Sequence, residues 1–175
     1  MARFDDIYEI AADNYGLVTF AEAMEVGVTS VELRRFVKDG RLERVGQGLY
    51  KLTRYTPTSY DQYATAVALV GPGSYLHGES VLAMHDLALV NPLKTTVATT
   101  KRTRKKLPEW ISLVAASNKE APTSYEGISS QSVADALRYC RGSVMKERLV
   151  AAIRDAAHEG LIDEEAEKAL LEEFG

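Results

Sequence analysis

The chain has 175 residues, with 21 Lys and Arg against 25 Asp and Glu and an apolar fraction of 46%. This length and apolar content fit one domain of ordinary size or two small ones, and they exclude disorder as the main state. No apolar run approaches the roughly 20 residues of a membrane span, and the acidic N-terminus differs from a signal peptide. A single cysteine, Cys140, excludes an internal disulfide. We therefore expect a cytoplasmic protein without membrane contact.

The charges are distributed unevenly along the chain. Residues 29–55 carry seven basic and three acidic groups, and residues 94–106 carry six basic groups and no acid, although the formal net charge is −4. Screening limits electrostatic fields to about 8–10 Å, so local surfaces matter more than the total charge. The pattern therefore permits contact with an anionic partner such as nucleic acid.

Two capping boxes predict a helix-turn-helix. Thr19 is followed by Glu22, and Thr29 by Glu32, which is the spacing that satisfies the free amides at a helix start. Gly27 and a second glycine at position 40 suit the left-handed caps that end helices. These signals predict helices over 20–26 and 30–39 joined by a tight turn. An earlier helix is predicted over 5–14, with a buried stripe of Ile7, Tyr8, Ile10 and Ala11.

The second of these helices has the two faces of a recognition helix. Leu33, Phe36 and Val37 form an apolar stripe for the core. The other face begins with small polar residues at the helix start and continues with long side chains that donate hydrogen bonds. This arrangement suits a helix that lies in the major groove of DNA. The predicted DNA contacts on this helix are Thr29, Ser30, Val31, Arg34, Arg35 and Lys38.

A β-hairpin is predicted directly after the recognition helix. The strands RLERV and LYKL flank the turn Gly46-Gln47-Gly48. In this position the hairpin is the wing of a winged helix, and Arg44, Gln47 and Lys51 are its predicted DNA contacts. The same outline also fits a winged helix that contacts a protein.

The remaining residues predict an α+β region. Pro57 interrupts the hairpin, and helical and β-branched segments then alternate. We expect helices near 60–70 and 79–87, strands near 74–77, 95–100 and 111–115, and three final helices near 130–140, 144–159 and 163–174, capped by Ser143 and Asp163. The predicted fold class is therefore α+β, with a winged helix-turn-helix domain over 1–55 and a mixed α/β domain over 57–175.

A basic run follows the strand predicted at 95–100. Such a run can track DNA phosphates or contact a partner, and it can equally be a solvated loop. The residues concerned are Lys101, Arg102, Arg104, Lys105 and Lys106.

The sequence contains no pattern typical of catalysis. Metal-ligand spacings, a phosphate-binding loop and a nucleophile elbow are all missing. His77 and His85, each beside or near an acid, are interpreted as packing residues rather than acid–base catalysts. We therefore expect no enzyme activity, no metal and no cofactor.

Two segments in order resemble one protein family. The first is GLVTFAEAMEVGVTSVELRRFVKDGRLERVGQGLYKL, and the second is TPTSYDQYATAVALVGPGSYLHGESVLAMHDLALVNPLKTTVAT. Over about residues 15–100 they are similar to the AbiEi family, the antitoxins of type IV abortive-infection toxin–antitoxin pairs. That family often has a basic residue in the wing turn, where this chain has Gly46 and Gln47.

The resemblance implies a sequence-specific DNA-binding autorepressor that binds operator repeats upstream of its own operon. It also implies a companion toxin of nucleotidyltransferase type, which the antitoxin opposes without direct contact. Two alternatives fit the same residues: a stand-alone transcription factor whose second domain senses a small molecule, and a winged helix that binds a partner protein.

Overall fold

The computed structural model describes residues 2–175, which form two compact units. The first extends to Pro72 and includes Thr103–Pro108, and the second comprises Gly73–Arg102 and Glu109–Gly175. In chain order the elements are α1 (Ala2–Ala12), β1 (Leu17–Thr19), α2 (Phe20–Glu25), α3 (Ser30–Lys38), β2 (Leu42–Gly46), β3 (Leu49–Leu52), α4 (Asp61–Val70), β4 (Tyr75–Leu76), α5 (Glu79–Met84), β5 (Thr95–Thr99), β6 (Ile111–Ala115), β7 (Thr123–Tyr125), β8 (Ile128–Ser130), α6 (Val133–Tyr139), α7 (Lys146–His158) and α8 (Glu164–Phe174).

The helix-turn-helix forms as its caps predict. The Thr19 and Thr29 hydroxyls accept hydrogen bonds from the amides of Glu22 and Glu32, and each glutamate carboxylate accepts one from the amide of its cap threonine. Both helices end in a left-handed glycine: Gly27 has φ of 80° and Gly40 has φ of 72°. The amide of the residue after each glycine bonds back into the last helical turn, as in a Schellman motif.

The wing is a three-stranded sheet rather than a two-stranded hairpin. β2 and β3 pair antiparallel, with a bulge between Arg44 and Gly46. β1 pairs antiparallel with the other edge of β3, in the strand order β1-β3-β2. Strand β1 was not predicted, because its three residues are too few to show the alternation of apolar and polar side chains that marks a strand.

The core of the first unit lies between α1, α2, α3 and the sheet. Val18 and Val28, which precede the two capping threonines, lie within it, and Phe36 and Val37 pack against it from α3. The prediction for α1 was partly wrong, because Tyr8 is half exposed while Ile7 and Ala11 are fully buried. The buried cluster consists of Ile7, Ala11, Val18, Ala23, Val28, Leu33, Leu42 and Leu52.

The predicted boundary at residues 55–57 falls inside the first compact unit. Helix α4 follows this boundary, and its Leu69 lies directly against Gly46 at the end of β2. The first unit therefore contains α4 in addition to the winged helix. Independent folding of residues 1–55 stays a prediction.

The second unit contains a five-stranded mixed sheet in the order β6-β5-β4-β8-β7. β5 and β6 are parallel, as are β4 and β8, whereas β4–β5 and β7–β8 are antiparallel. The hairpin of β7 and β8 was not predicted; it turns at Glu126 and Gly127, which both have positive φ. The predicted α+β class is confirmed.

The terminal helices confirm most of their predicted ends. Asp163 caps α8 through the Ala166 amide. Ser143 does not cap α7, because Met145 occupies that position. The Ser143 hydroxyl instead lies within hydrogen-bond distance of two acceptors, the Glu79 carboxylate and the Cys140 carbonyl. None of the described helices is long and apolar enough to cross a membrane.

Candidate nucleic-acid interface

One face of α3 presents a cationic, solvent-exposed surface. Leu33 is fully buried, which turns the opposite side of the helix outward. Arg34, Arg35 and Lys38 are exposed on that side, and Val31 is 65% exposed. Thr29 and Ser30, at the helix start, are exposed too. The six residues predicted on this helix therefore share one accessible surface, which combines donors for phosphate or base edges with an apolar group suited to a thymine methyl.

The acidic groups of α3 and of its C-cap are engaged in the protein itself. The Glu32 carboxylate accepts hydrogen bonds from the Thr29 amide and hydroxyl, and its ion pair with Arg3 is 3.0 Å long. The backbone and side-chain bonds from Thr29 lower the pKa of Glu32 below its usual range. Asp39 lies 3.6 Å from Arg35 in a surface ion pair that leaves most of the arginine exposed. Such a surface pair contributes little stabilisation, so Arg35 gives up little when it turns to another anion.

The tip of the wing is exposed but has no cation. Gln47 lies there between Gly46 and Gly48, and the left-handed φ of 70° at Gly48 closes the turn. Arg44 is exposed, and its Nε donates to the Gly46 carbonyl at 3.3 Å. The wing therefore offers the Gln47 amide and one arginine to a neighbouring surface.

Lys51 is placed differently from the other predicted contacts. Its side chain is only 21% exposed, and its Nζ lies 3.5 Å from Asp61 at the start of α4. The same Nζ lies 5.6 Å from the centre of the Tyr55 ring. Its charge is thus shared with Asp61, and a role in DNA contact stays a prediction.

The structure divides the basic run of residues 101–106. Lys101 and Arg102 belong to the second unit, whereas Arg104, Lys105 and Lys106 belong to the first. The Lys105 Nζ lies 3.5 Å from the Leu69 carbonyl in the last turn of α4. Sequence reasoning missed this contact, because no local pattern links residues 36 positions apart.

His77 and His85 both pack against aromatic rings in the second unit. His77 is buried, its Nε2 lies 3.3 Å from Glu120, and its ring meets Tyr139 edge-on. Its Nδ1 has no hydrogen-bond partner among the described residues. His85 packs on Tyr125, and burial lowers its pKa. Residues 2–175 hold no cluster of three or more potential metal ligands.

These features define the first unit as a winged helix-turn-helix whose helix α3 presents an exposed cationic surface. Residues 5–53 match the family model described as "Transcriptional regulator, AbiEi antitoxin". The match confirms the family resemblance and extends over the helix-turn-helix and the wing. No curated protein sequence matches the chain. The match covers less than a third of the chain, so the resemblance drawn for residues 54–100 stays a prediction.

Proposed function

We propose that the protein is a sequence-specific DNA-binding autorepressor that acts as the antitoxin of a type IV toxin–antitoxin pair. The observation that carries the proposal is the α3 surface, where Arg34, Arg35 and Lys38 are exposed while Glu32 is bound by Thr29 and Arg3. The family match over residues 5–53 supports a transcriptional regulator of AbiEi type. The partners would be double-stranded operator DNA upstream of its own operon and a nucleotidyltransferase-type toxin that it opposes without direct contact.

In this proposal α3 enters the major groove. Thr29, whose amide and hydroxyl are engaged with Glu32, starts the helix beside the DNA, and the Ser30 hydroxyl meets phosphate or base edges. Arg34 and Arg35 donate to bases or phosphates, and Lys38 binds the DNA backbone. Arg44 and Gln47 contact the adjacent backbone or minor groove. Nothing in this mechanism uses a metal, a cofactor or a catalytic step.

The test is fluorescence anisotropy with the upstream DNA of the operon and with a scrambled duplex, at several salt concentrations. We expect tighter binding to the upstream DNA and a steep fall in affinity with salt, because each neutralised phosphate releases counterions. Equal or absent binding would contradict specific repression and favour a winged helix that contacts protein.

The double variant Arg34→Ala/Arg35→Ala is the matched mutational test. We expect it to lose specific binding while its thermal unfolding stays nearly unchanged, because both side chains are exposed. Arg148→Ala/Arg154→Ala, which removes the same charge from exposed positions of α7, serves as the control and should bind normally. Unchanged binding of the first variant would move the interface away from α3.

The antitoxin part of the proposal has a separate test. Co-expression with the neighbouring toxin gene should restore growth, and the two purified proteins should not co-elute in size-exclusion chromatography. If no toxin gene lies beside this one, a stand-alone transcription factor becomes the better description.

A further inference from the structure

We propose that Arg104 and Lys106 form a second phosphate contact beside the wing, on the same DNA that α3 reads. This inference rests on the proposed function. It divides the basic run at residue 103 and assigns only its C-terminal part to the DNA surface of the first unit.

The first step is the contact between the wing and α4. Gly46, next to the wing tip, has no side chain, and a Cβ there would collide with Leu69 Cδ2. Leu69 is buried in the last turn of α4. The C-terminal end of α4 is therefore held directly against the end of β2.

The second step is the contact between α4 and the basic segment. The Lys105 Nζ approaches the Leu69 carbonyl at 3.5 Å, and a Cβ at Gly71 would lie 3.6 Å from the same nitrogen. A lysine at this position meets the free carbonyls and the negative end of the helix dipole. Lys105 is exposed, and its contact with the Leu69 carbonyl makes it the positioning residue that places the segment at the end of α4 beside the wing.

The third step is the charge that remains available. Arg104 and Lys106 are exposed and form no hydrogen bond or ion pair with other residues in the described part of the chain. Consecutive Cα atoms are 3.8 Å apart, so both flank the anchored Lys105 closely. Residues 62–78 and 94–108 contain no acid, so neither the rest of α4 nor the segment supplies a counter-charge.

The wing explains why such a contact would be useful. Its tip is Gln47, between Gly46 and Gly48, and carries no charge, whereas α3 carries three exposed cations. Two cations beside an uncharged wing bind phosphate without reading sequence, because phosphate contacts position a protein and base contacts specify the site. DNA is therefore the partner that the arrangement fits best.

The test compares salt dependence in three proteins. Arg104→Ala/Lys106→Ala should weaken binding to upstream and scrambled DNA by similar factors, about tenfold, and should reduce the slope of log affinity against log salt by about 2. Lys105 is left intact so that the segment keeps its anchor. Arg148→Ala/Arg154→Ala, with the same change in net charge, should leave the slope unchanged.

Cross-linking gives a second readout that does not depend on affinity. A photoactivatable reagent attached at Lys106→Cys should cross-link to bound DNA, and the same reagent at Arg154→Cys should not. Cys140 does not interfere, because it is buried and its thiol pKa is raised to about 12 by that burial.

The outcomes separate the two proposals. If the unaltered protein binds DNA and Arg34→Ala/Arg35→Ala abolishes binding, but Arg104→Ala/Lys106→Ala keeps the full slope and Lys106→Cys gives no cross-link, the second contact is disproved and the proposed function stands. If the unaltered protein does not bind DNA, both proposals fail.

Discussion

At the scale of single residues, Glu32 connects helix formation with the charge of the candidate interface. Its carboxylate accepts the Thr29 amide at 2.8 Å and the Thr29 hydroxyl at 3.0 Å, and it also pairs with Arg3. An ionised acid in the first turn of α3 repels phosphate, and the Arg3 guanidinium at 3.0 Å offsets that charge. Here the capping box gives this acid a structural role and leaves the neighbouring cations exposed.

Because the pKa of Glu32 is lowered in the folded state, its contribution to stability should depend on pH. The ionised carboxylate stabilises the folded state above its usual pKa of 4.5, and this contribution is lost as the pH falls through the lower pKa of the folded state. We expect Glu32→Gln to be less stable than the unaltered protein at pH 7 and the difference to shrink toward pH 3. Urea denaturation at both pH values measures it, and a difference independent of pH would show that the charge of Glu32 is not responsible.

At the scale of elements, the contact between β2 and α4 explains a glycine that no turn requires. Gly46 does not have a positive φ, so its backbone would accept other residues. Leu69 instead occupies the space that a side chain at Gly46 would need. The wing and α4 consequently form one packed group within the first unit.

We expect Gly46→Ala to lower the free energy of unfolding by about 1–3 kcal/mol, since one added methyl overfills this contact. Leu69→Ala alone should cost about 2–5 kcal/mol through the cavity that it leaves. In the Leu69→Ala background, Gly46→Ala should cost little or become favourable, because the clash is gone. Urea denaturation of the four proteins measures this coupling, with Gln47→Ala as a neutral control; strictly additive effects would contradict the contact.

At the scale of the whole molecule, each unit is closed by contacts between residues distant in sequence. In the second unit Glu120 accepts hydrogen bonds from the Tyr75 hydroxyl at 2.8 Å and from the Gln131 amide at 2.7 Å, and it lies 3.3 Å from His77 Nε2. The pKa of Tyr75 is raised to about 12, mainly by burial and secondarily by the hydrogen bond to Glu120. One carboxylate thus ties β4 to the residues that follow β8.

We expect Glu120→Ala to destabilise the protein by about 1–3 kcal/mol, because it leaves the polar groups of Tyr75, His77 and Gln131 without their acceptor. Glu120→Gln keeps an acceptor oxygen, so we expect it to lose only part of the unfolding free energy that Glu120→Ala loses. Glu172→Ala, at an exposed position of α8, is the control. Thermal and urea unfolding measure the effect; equal stability of Glu120→Ala and the control would mean that the network contributes nothing.

Local sequence patterns were enough to predict the helix-turn-helix, the hairpin of the wing and most helices of the second unit, as well as the family resemblance. Their signals are local: a capping box spans four residues, a left-handed glycine ends the helix beside it, and the apolar stripe of α3 repeats within one turn. The exposed face of α3 lies opposite that stripe, so the residues on the exposed face could be predicted from the sequence.

The folded molecule was needed to show which distant residues meet. It added β1 to the wing, paired Lys51 with Asp61, placed Leu69 on Gly46, held Lys105 at the end of α4 and gathered three side chains around Glu120. These contacts join segments separated by up to 45 positions. Each forms because the packing of whole elements repays the entropy of closing a long loop, and no local residue pattern encodes that balance.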